Sequence, residues 1–191
     1  MPHHAHPARG AVDILIREHD AIQRVLHLLE TAATLLDHHR PVPEGFQRWS
    51  AEFCRDFADL LHHAKEEQVL FPALLRRGGV SMERGIARLV ADHVQNRDYV
   101  ARLRELDLTD RTQGEQFAAL AHAYVQHLRD HIFREHNEIF AAAPRVLAER
   151  EMLESLGACE QAEEASGTRG YSERYVPAIR QWEAAFSSPP L

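Results

Sequence analysis

The chain has 191 residues, 45% of them hydrophobic and 27% charged, with a formal net charge of −7; these proportions suit one globular domain with a sizeable core and exclude a disordered or fibrous chain. The acidic balance excludes a general nucleic-acid binder, which needs a basic surface to neutralise phosphates, and apolar runs of only a few residues leave nothing to span a membrane. Cys54 and Cys159 stand alone without C-x-x-C spacing, so neither a disulfide framework nor a thiolate zinc site is indicated.

Fourteen histidines are many for this length, and imidazole is the commonest metal ligand. Residues 1–10, "MPHHAHPARG", lack the apolar segment of a signal peptide. They read as a flexible tail whose His3, His4 and His6 have adventitious metal affinity, and a cytoplasmic location is the expectation. Four segments with a 3.6-residue apolar period follow, and no run alternates as a strand would. Helix A runs from about Ala11 to His39, ahead of "RPVP", and helix B from about Glu44 to Arg77, ending at Gly78-Gly79. Ser81 is expected to cap helix C, which continues to about Leu106. After "DLTDRT", helix D runs from about Gln113 to Ala143, where Pro144 stops or kinks it before a continuation to about Leu156.

Loops this short predict an all-α, up-down-up-down four-helix bundle over residues 11–156. Residues 157–191 are expected to form a polar linker, beginning "GACEQAEEASGTRG", and a short tail helix. In that helix Tyr171, Tyr175, Ile179, Trp182 and Phe186 share a face that covers one end or side of the bundle.

At 100° per residue, only some histidines fall on the apolar arcs. On helix A, Val12, Leu15, Ile22, Leu26 and Leu29 surround His19, whereas His27 is on the flank and His39 on the far side. On helix C, Met82, Ile86, Leu89 and Val100 surround His93. On helix D, Phe117, Tyr124, Leu128, Ile132, Ile139 and Val146 surround His131 and Glu135, while His122 and His136 face away. Helix B is ambiguous. Upstream Trp49, Phe53 and Leu60 choose His63/Glu67, whereas alignment of "HHAKEEQVLF" with "HIFREHNEIF" chooses His62/Glu66. The two registers differ by one residue, the offset that a single π-bulge just before His62 would produce. A buried carboxylate without compensation costs several kcal/mol, and two on facing helices, each one turn after a histidine, are a pattern that cations compensate. Nitrogen and oxygen donors without thiolate point to iron or manganese, with zinc also feasible.

The order H…HxxxE…H…HxxxE is carried by the histidine of "REHDAI", by "HHAKEEQVLFPAL", by the histidine of "ADHVQNR" and by "HIFREHNEIF". It resembles the hemerythrin-like (HHE cation-binding) family over roughly Val12 to Pro144. The resemblance implies a bundle around two non-haem iron ions bridged by carboxylates and an oxo or hydroxo group. It implies His19, His62, Glu66, His93, His131 and Glu135 as ligands, with both glutamates bridging and no catalytic residue distinct from the ligands. The "LFP" after "KEEQV" favours His62/Glu66, and His63 is kept as an additional ligand.

Oxygen-carrying relatives have five histidines, two of them four apart on the third helix. Here the residue four after His93 is Arg97, which argues against reversible oxygen transport. Its guanidinium is expected to meet a bridging glutamate, an incoming anion or a surface carboxylate. His127 lies at the edge of its arc, and Tyr124 reads as core. The function implied is binding or reaction with O2, NO or peroxide in oxidative or nitrosative stress defence or iron handling, with a catalase-like reaction as the activity. A metal-dependent sensor or interaction module without turnover is the alternative. The expected partners are a diatomic or peroxide ligand, with no nucleic acid or membrane, in a monomer or homodimer.

Overall fold

The computed structural model describes residues 10–187, so the tail histidines His3, His4 and His6 lie outside the described residues. Helix α1 (Ala11–Asp37) leads to α2 (46–75), α3 (Gly79–Glu105) and α4 (111–140), and a single turn, α5 (Ala143–Val146), precedes α6 (Glu149–Ser166) and α7 (Tyr171–Ser187). Among the described residues no segment is a strand, and no helix is long and apolar enough to cross a membrane. The first four long helices form the expected bundle, α1 packing most extensively on α4 and α4 on α3.

The apolar periodicity places the core as expected. Val12, Leu15, Ile22, Leu26 and Leu29 of α1 are buried, as are Met82, Ile86 and Leu89 of α3 and Phe117, Leu128, Ile132 and Ile139 of α4. Two apolar clusters result. One, around Leu26, Phe53, Phe57, Phe117 and Leu128, fills one end of the bundle; the other, around Leu15, Phe71, Leu74, Ile86 and Phe140, fills the opposite end. Between them lies a polar layer.

Helix α2 resolves its own ambiguity by its winding. It is α-helical over Phe46–Phe53, π-helical over Cys54–His63 and again over Glu66–Leu70, and α-helical over Phe71–Leu75. The expected offset is therefore present, but spread over a ten-residue stretch and repeated downstream. A π-turn takes in an extra residue, so the register has already shifted by residue 60: Leu60 is 42% exposed and Leu61 is buried. The upstream apolar set proposed for α2 is wrong at Leu60 for that reason. Helix α4 is π-wound only over its last six residues, Glu135–Phe140.

Three boundaries differ from expectation. Ser81 does not cap α3, which starts at Gly79 with no side-chain cap bond. By contrast, the Asp110 side chain caps α4 by accepting from the Gln113 N–H at 2.9 Å. The continuation of helix D breaks at Leu147, which is extended, with Pro144 inside the isolated turn α5. Third, most of the stretch read as a linker is helix: α6 runs through it to Ser166, and only residues 167–170 turn the chain back, with Gly167 at φ +69° as the left-handed cap. Its Glu and Ala content favours helix, and Ser155, Cys159 and Ala162, one turn apart, give it a buried seam.

Helices α6 and α7 pack on α1 and α2. Tyr175 and Ile179 of α7 are buried, and Trp182 and Phe186 stack edge-on against Phe46. The Tyr175 hydroxyl donates to buried Asp56 at 2.6 Å. Because α2 is covered both by the bundle and by this carboxy-terminal hairpin, its buried arc is wide. Lys65 on its flank is 1% exposed.

Candidate metal centre

His19 of α1, His62, His63 and Glu66 of α2, His93 of α3, and His131 and Glu135 of α4 meet in the polar layer, none more than 2% exposed. They form two clusters that share Glu66. His63, Glu66, His93 and His131 make one, and His19, His62, Glu66 and Glu135 the other; within each, one ligand atom from every residue lies within 4.8 Å of the rest. The Glu66 carboxylate straddles the two, with Oε2 3.3 Å from His93 Nε2 and Oε1 3.7 Å from His62 Nε2. Glu135 does the same, with Oε1 2.6 Å from His131 Nε2 and Oε2 3.1 Å from His19 Nε2. The His63 and His93 rings stack with centroids 3.9 Å apart.

The hydrogen bonding tests whether cations fit. His19 Nε2, His62 Nε2 and all four oxygens of Glu66 and Glu135 are buried with no well-formed hydrogen bond, facing one another and the His93 and His131 imidazoles as ion pairs at best. Such atoms cost about 1–3 kcal/mol apiece, more where charged. Here the orphaned atoms converge on the centre of the two clusters, as they would if cations were their partners. All the donors are nitrogen or oxygen, the set that suits iron or manganese.

The electrostatics point the same way. Burial holds the His19 pKa down at about 4, helped by the neighbouring His62. Burial likewise holds His63 well below its ordinary value, with His93, His62 and His131 adding to the effect. Burial also opposes charge on His93 and His131, but the carboxylates facing them outweigh it and push His93 up to about 11 and His131 to about 8. Burial and the charge of Glu135 raise Glu66, whereas Glu135, despite its burial, is held well below the carboxylate range by His131 first. Without a cation, protons on His93 and His131 balance the carboxylates. A metal would displace those protons, which couples its binding to pH.

Every histidine of the two clusters has a second polar partner. His19 Nδ1 meets His136 Nε2 at 2.8 Å; His62 Nδ1 meets Glu18 Oε2 at 3.1 Å; His63 Nδ1 meets Asp59 Oδ1 at 3.4 Å. His93 Nδ1 meets Glu67 Oε1 at 2.8 Å, and His131 Nδ1 meets Asp92 Oδ2 at 3.4 Å. A carboxylate can only accept, so it fixes the proton on Nδ1 and leaves the Nε2 lone pair for a cation.

Sequence reasoning missed this outer ring. His136 was read as facing away, but the π-turn that opens at Glu135 swings it round to His19. Glu67, the other candidate carboxylate of α2, is an outer partner of His93 and points away from the two clusters. Asp59 sits four residues before His63, and that spacing was the available signal. Arg97 joins Asp59 and Glu67 at 2.8 and 3.0 Å with its side chain 45% exposed, and so meets neither bridging glutamate. His127 stays outside both clusters, its Nε2 3.5 Å from the Asp92 carbonyl. Tyr124 is buried in the larger apolar cluster.

The model of one protein family, the hemerythrin HHE cation binding domain, matches residues 10–143. No curated protein and no solved structure gave a match.

Proposed function

Because this chain belongs to the hemerythrin HHE cation-binding family, we propose that it holds two iron ions, one per cluster, and binds or reacts with O2, NO or peroxide. The observation that carries this reading is the pair of four-residue clusters joined by Glu66, with Glu135 reaching into both. Paired iron ions supply two adjacent one-electron centres, the chemistry that small oxygen and nitrogen ligands require. The chain's own residues do the rest.

His63, His93 and His131 would hold one ion and His19 and His62 the other, with Glu66 and Glu135 available to both. Glu18, Asp59, Glu67 and Asp92 orient four of the imidazoles. Phe140, its ring 5.7 Å from that of His19, and Phe71, 6.1 Å from that of His93, close the layer against water on one side.

Oxidative or nitrosative stress defence and iron handling are the physiological settings this chemistry fits, with peroxide removal of the catalase type as the activity. The experiment is to load the protein with ferrous iron under anaerobic conditions, count the metal, and record the visible spectrum before and after admitting air. Two irons per chain and charge-transfer bands that grow on exposure are expected. One iron or none, with no bands, sinks the reading. A metal-dependent sensor without turnover is the second reading, favoured by the contact that α6 makes with the outer ring through Glu163 and Lys65. Peroxide consumption by the loaded protein separates the two.

A further inference from the structure

Lys65 is 1% exposed, and a lysine is almost never fully buried unless it is paired. Its ammonium is paired twice. On one side it donates to Glu18 Oε1; on the other, Nζ lies 2.6 Å from Glu163 Oε1. The remaining oxygen of Glu18, Oε2, is the one that meets His62 Nδ1. A continuous chain therefore runs from Glu163 through Lys65 and Glu18 to His62 of the His19/His62 cluster. Glu163 lies on α6, beyond the segment that the family model matches.

Stability alone is a poor reason for this arrangement. Buried ion networks are often no more stabilising than apolar residues of the same volume, and α6 is already anchored by its buried seam and by the Ala11 N–H donating to Ser155 Oγ at 2.8 Å. What an apolar replacement would not supply is a fixed, ionised Glu18. With Oε1 held by the ammonium, the carboxylate has one orientation, and it holds the His62 ring with Nδ1 protonated and Nε2 toward the cluster.

We propose that Lys65 is a positioning residue of the metal centre, acting on the His62 imidazole through Glu18 and tied by Glu163 to α6. The proposal rests on the metal reading above. It makes α6 a functional part of the centre, so that anything displacing this helix changes the donor strength and aim of His62.

The test uses the full chain and cobalt(II), whose visible absorption reports ligand geometry without any turnover. Lys65→Met, Lys65→Arg and Glu163→Gln are compared with the wild type for far-ultraviolet circular dichroism, cobalt affinity by competition, and the visible spectrum. Lys65→Met is expected to weaken cobalt binding about tenfold, the low end of the range for outer partners of a metal ligand, and to shift the bands. Glu163→Gln should move both readouts the same way by less, and Lys65→Arg should restore most of each.

A folded Lys65→Met protein with the wild-type spectrum and affinity overturns the proposal while leaving the metal reading intact. Should Lys65→Met fail to fold, Glu163→Gln decides, since it keeps the Lys65–Glu18 pair; wild-type behaviour there overturns the proposal too. Failure of the wild type to take up cobalt removes the metal reading and this inference together.

Discussion

Helices α2 and α4 both carry His-x-x-x-Glu into the polar layer, but they deliver different numbers of ligands. Helix α4 stays α-helical to Arg134, so His131 and Glu135 share a face, while His127, one turn earlier, stays outside the clusters. Helix α2 is π-wound through the ten residues that end at His63. Both of its adjacent histidines turn inward, His62 to one cluster and His63 to the other. Along an α-helix neighbouring residues diverge by 100°, as adjacent Glu18 and His19 of α1 do, of which only His19 belongs to a cluster. Winding, as well as residue type, sets how many ligands a helix contributes. The imidazole that Arg97 does not supply on α3 has a counterpart in His63, stacked on His93.

The largest expected effect removes what the two helices have in common. Alanine at Glu66 and Glu135 together takes away both straddling carboxylates, and the loaded, desalted double variant should retain no iron. Two irons per chain in that variant would refute the ligand assignment. The next effect separates the helices. His63→Ala should lower metal affinity by at least the roughly 10–100-fold typical of losing even an outer partner, whereas His127→Ala should leave affinity unchanged. Equal losses in competition titrations would mean that the π-winding of α2 confers no additional ligand.

A smaller effect distinguishes the histidines by charge. In the metal-free chain, the depressed pKa of His19, about 4, contributes stability that is present above the unfolded value of about 6.5 and lost as pH falls toward 4. The raised values of His93 and His131, about 11 and about 8, contribute stability that is fully present below about 6.5 and lost as pH rises through them. Thermal unfolding of metal-free protein should therefore peak near pH 6.5 and fall on both sides. Bound metal keeps the ligand imidazoles neutral, so it should lift the alkaline side most. A midpoint that climbs steadily from pH 6 to pH 9 without metal would contradict the ion network described for His93 and His131.

The bundle was legible in the sequence because its apolar residues recur at helical spacing with clear breaks, and α1, α3 and α4 show no conflict between local pattern and packing. His19, His93, His131 and Glu135 were legible for the same reason. On α2 the sequence displayed two registers one residue apart, and that conflict was itself the trace of the π-turn. The length of the π stretch could not be read from spacing along α2 alone, and α6 and α7, which pack on that stretch, lie far from it in sequence. Nor could the outer ring. Glu18, Asp92 and His136 act across helices, and their partners are set by how the helices face one another rather than by spacing along any one of them. The region 157–166 was misread because small polar residues look like a linker until their buried seam of Ser155, Cys159 and Ala162 has something to pack on.

The smallest expected effect concerns the side of the π-turn that faces α3. There Asn96 is 3% exposed, with neither its amide nitrogen nor its oxygen hydrogen-bonded. It lines a cavity of about 160 Å³ together with Cys54, Asp59 and His63 of α2 and Tyr124 of α4. Asparagine and leucine have similar shape, and replacing an unpaired buried amide by an apolar group removes a desolvation cost of about 1–3 kcal/mol. Asn96→Leu should therefore raise the denaturation midpoint of the metal-free chain at constant m-value and leave metal affinity unchanged, since Asn96 belongs to neither cluster. A loss of stability of similar size would instead mean that ordered water in the cavity satisfies the amide, as buried polar groups beside a cavity of this volume allow.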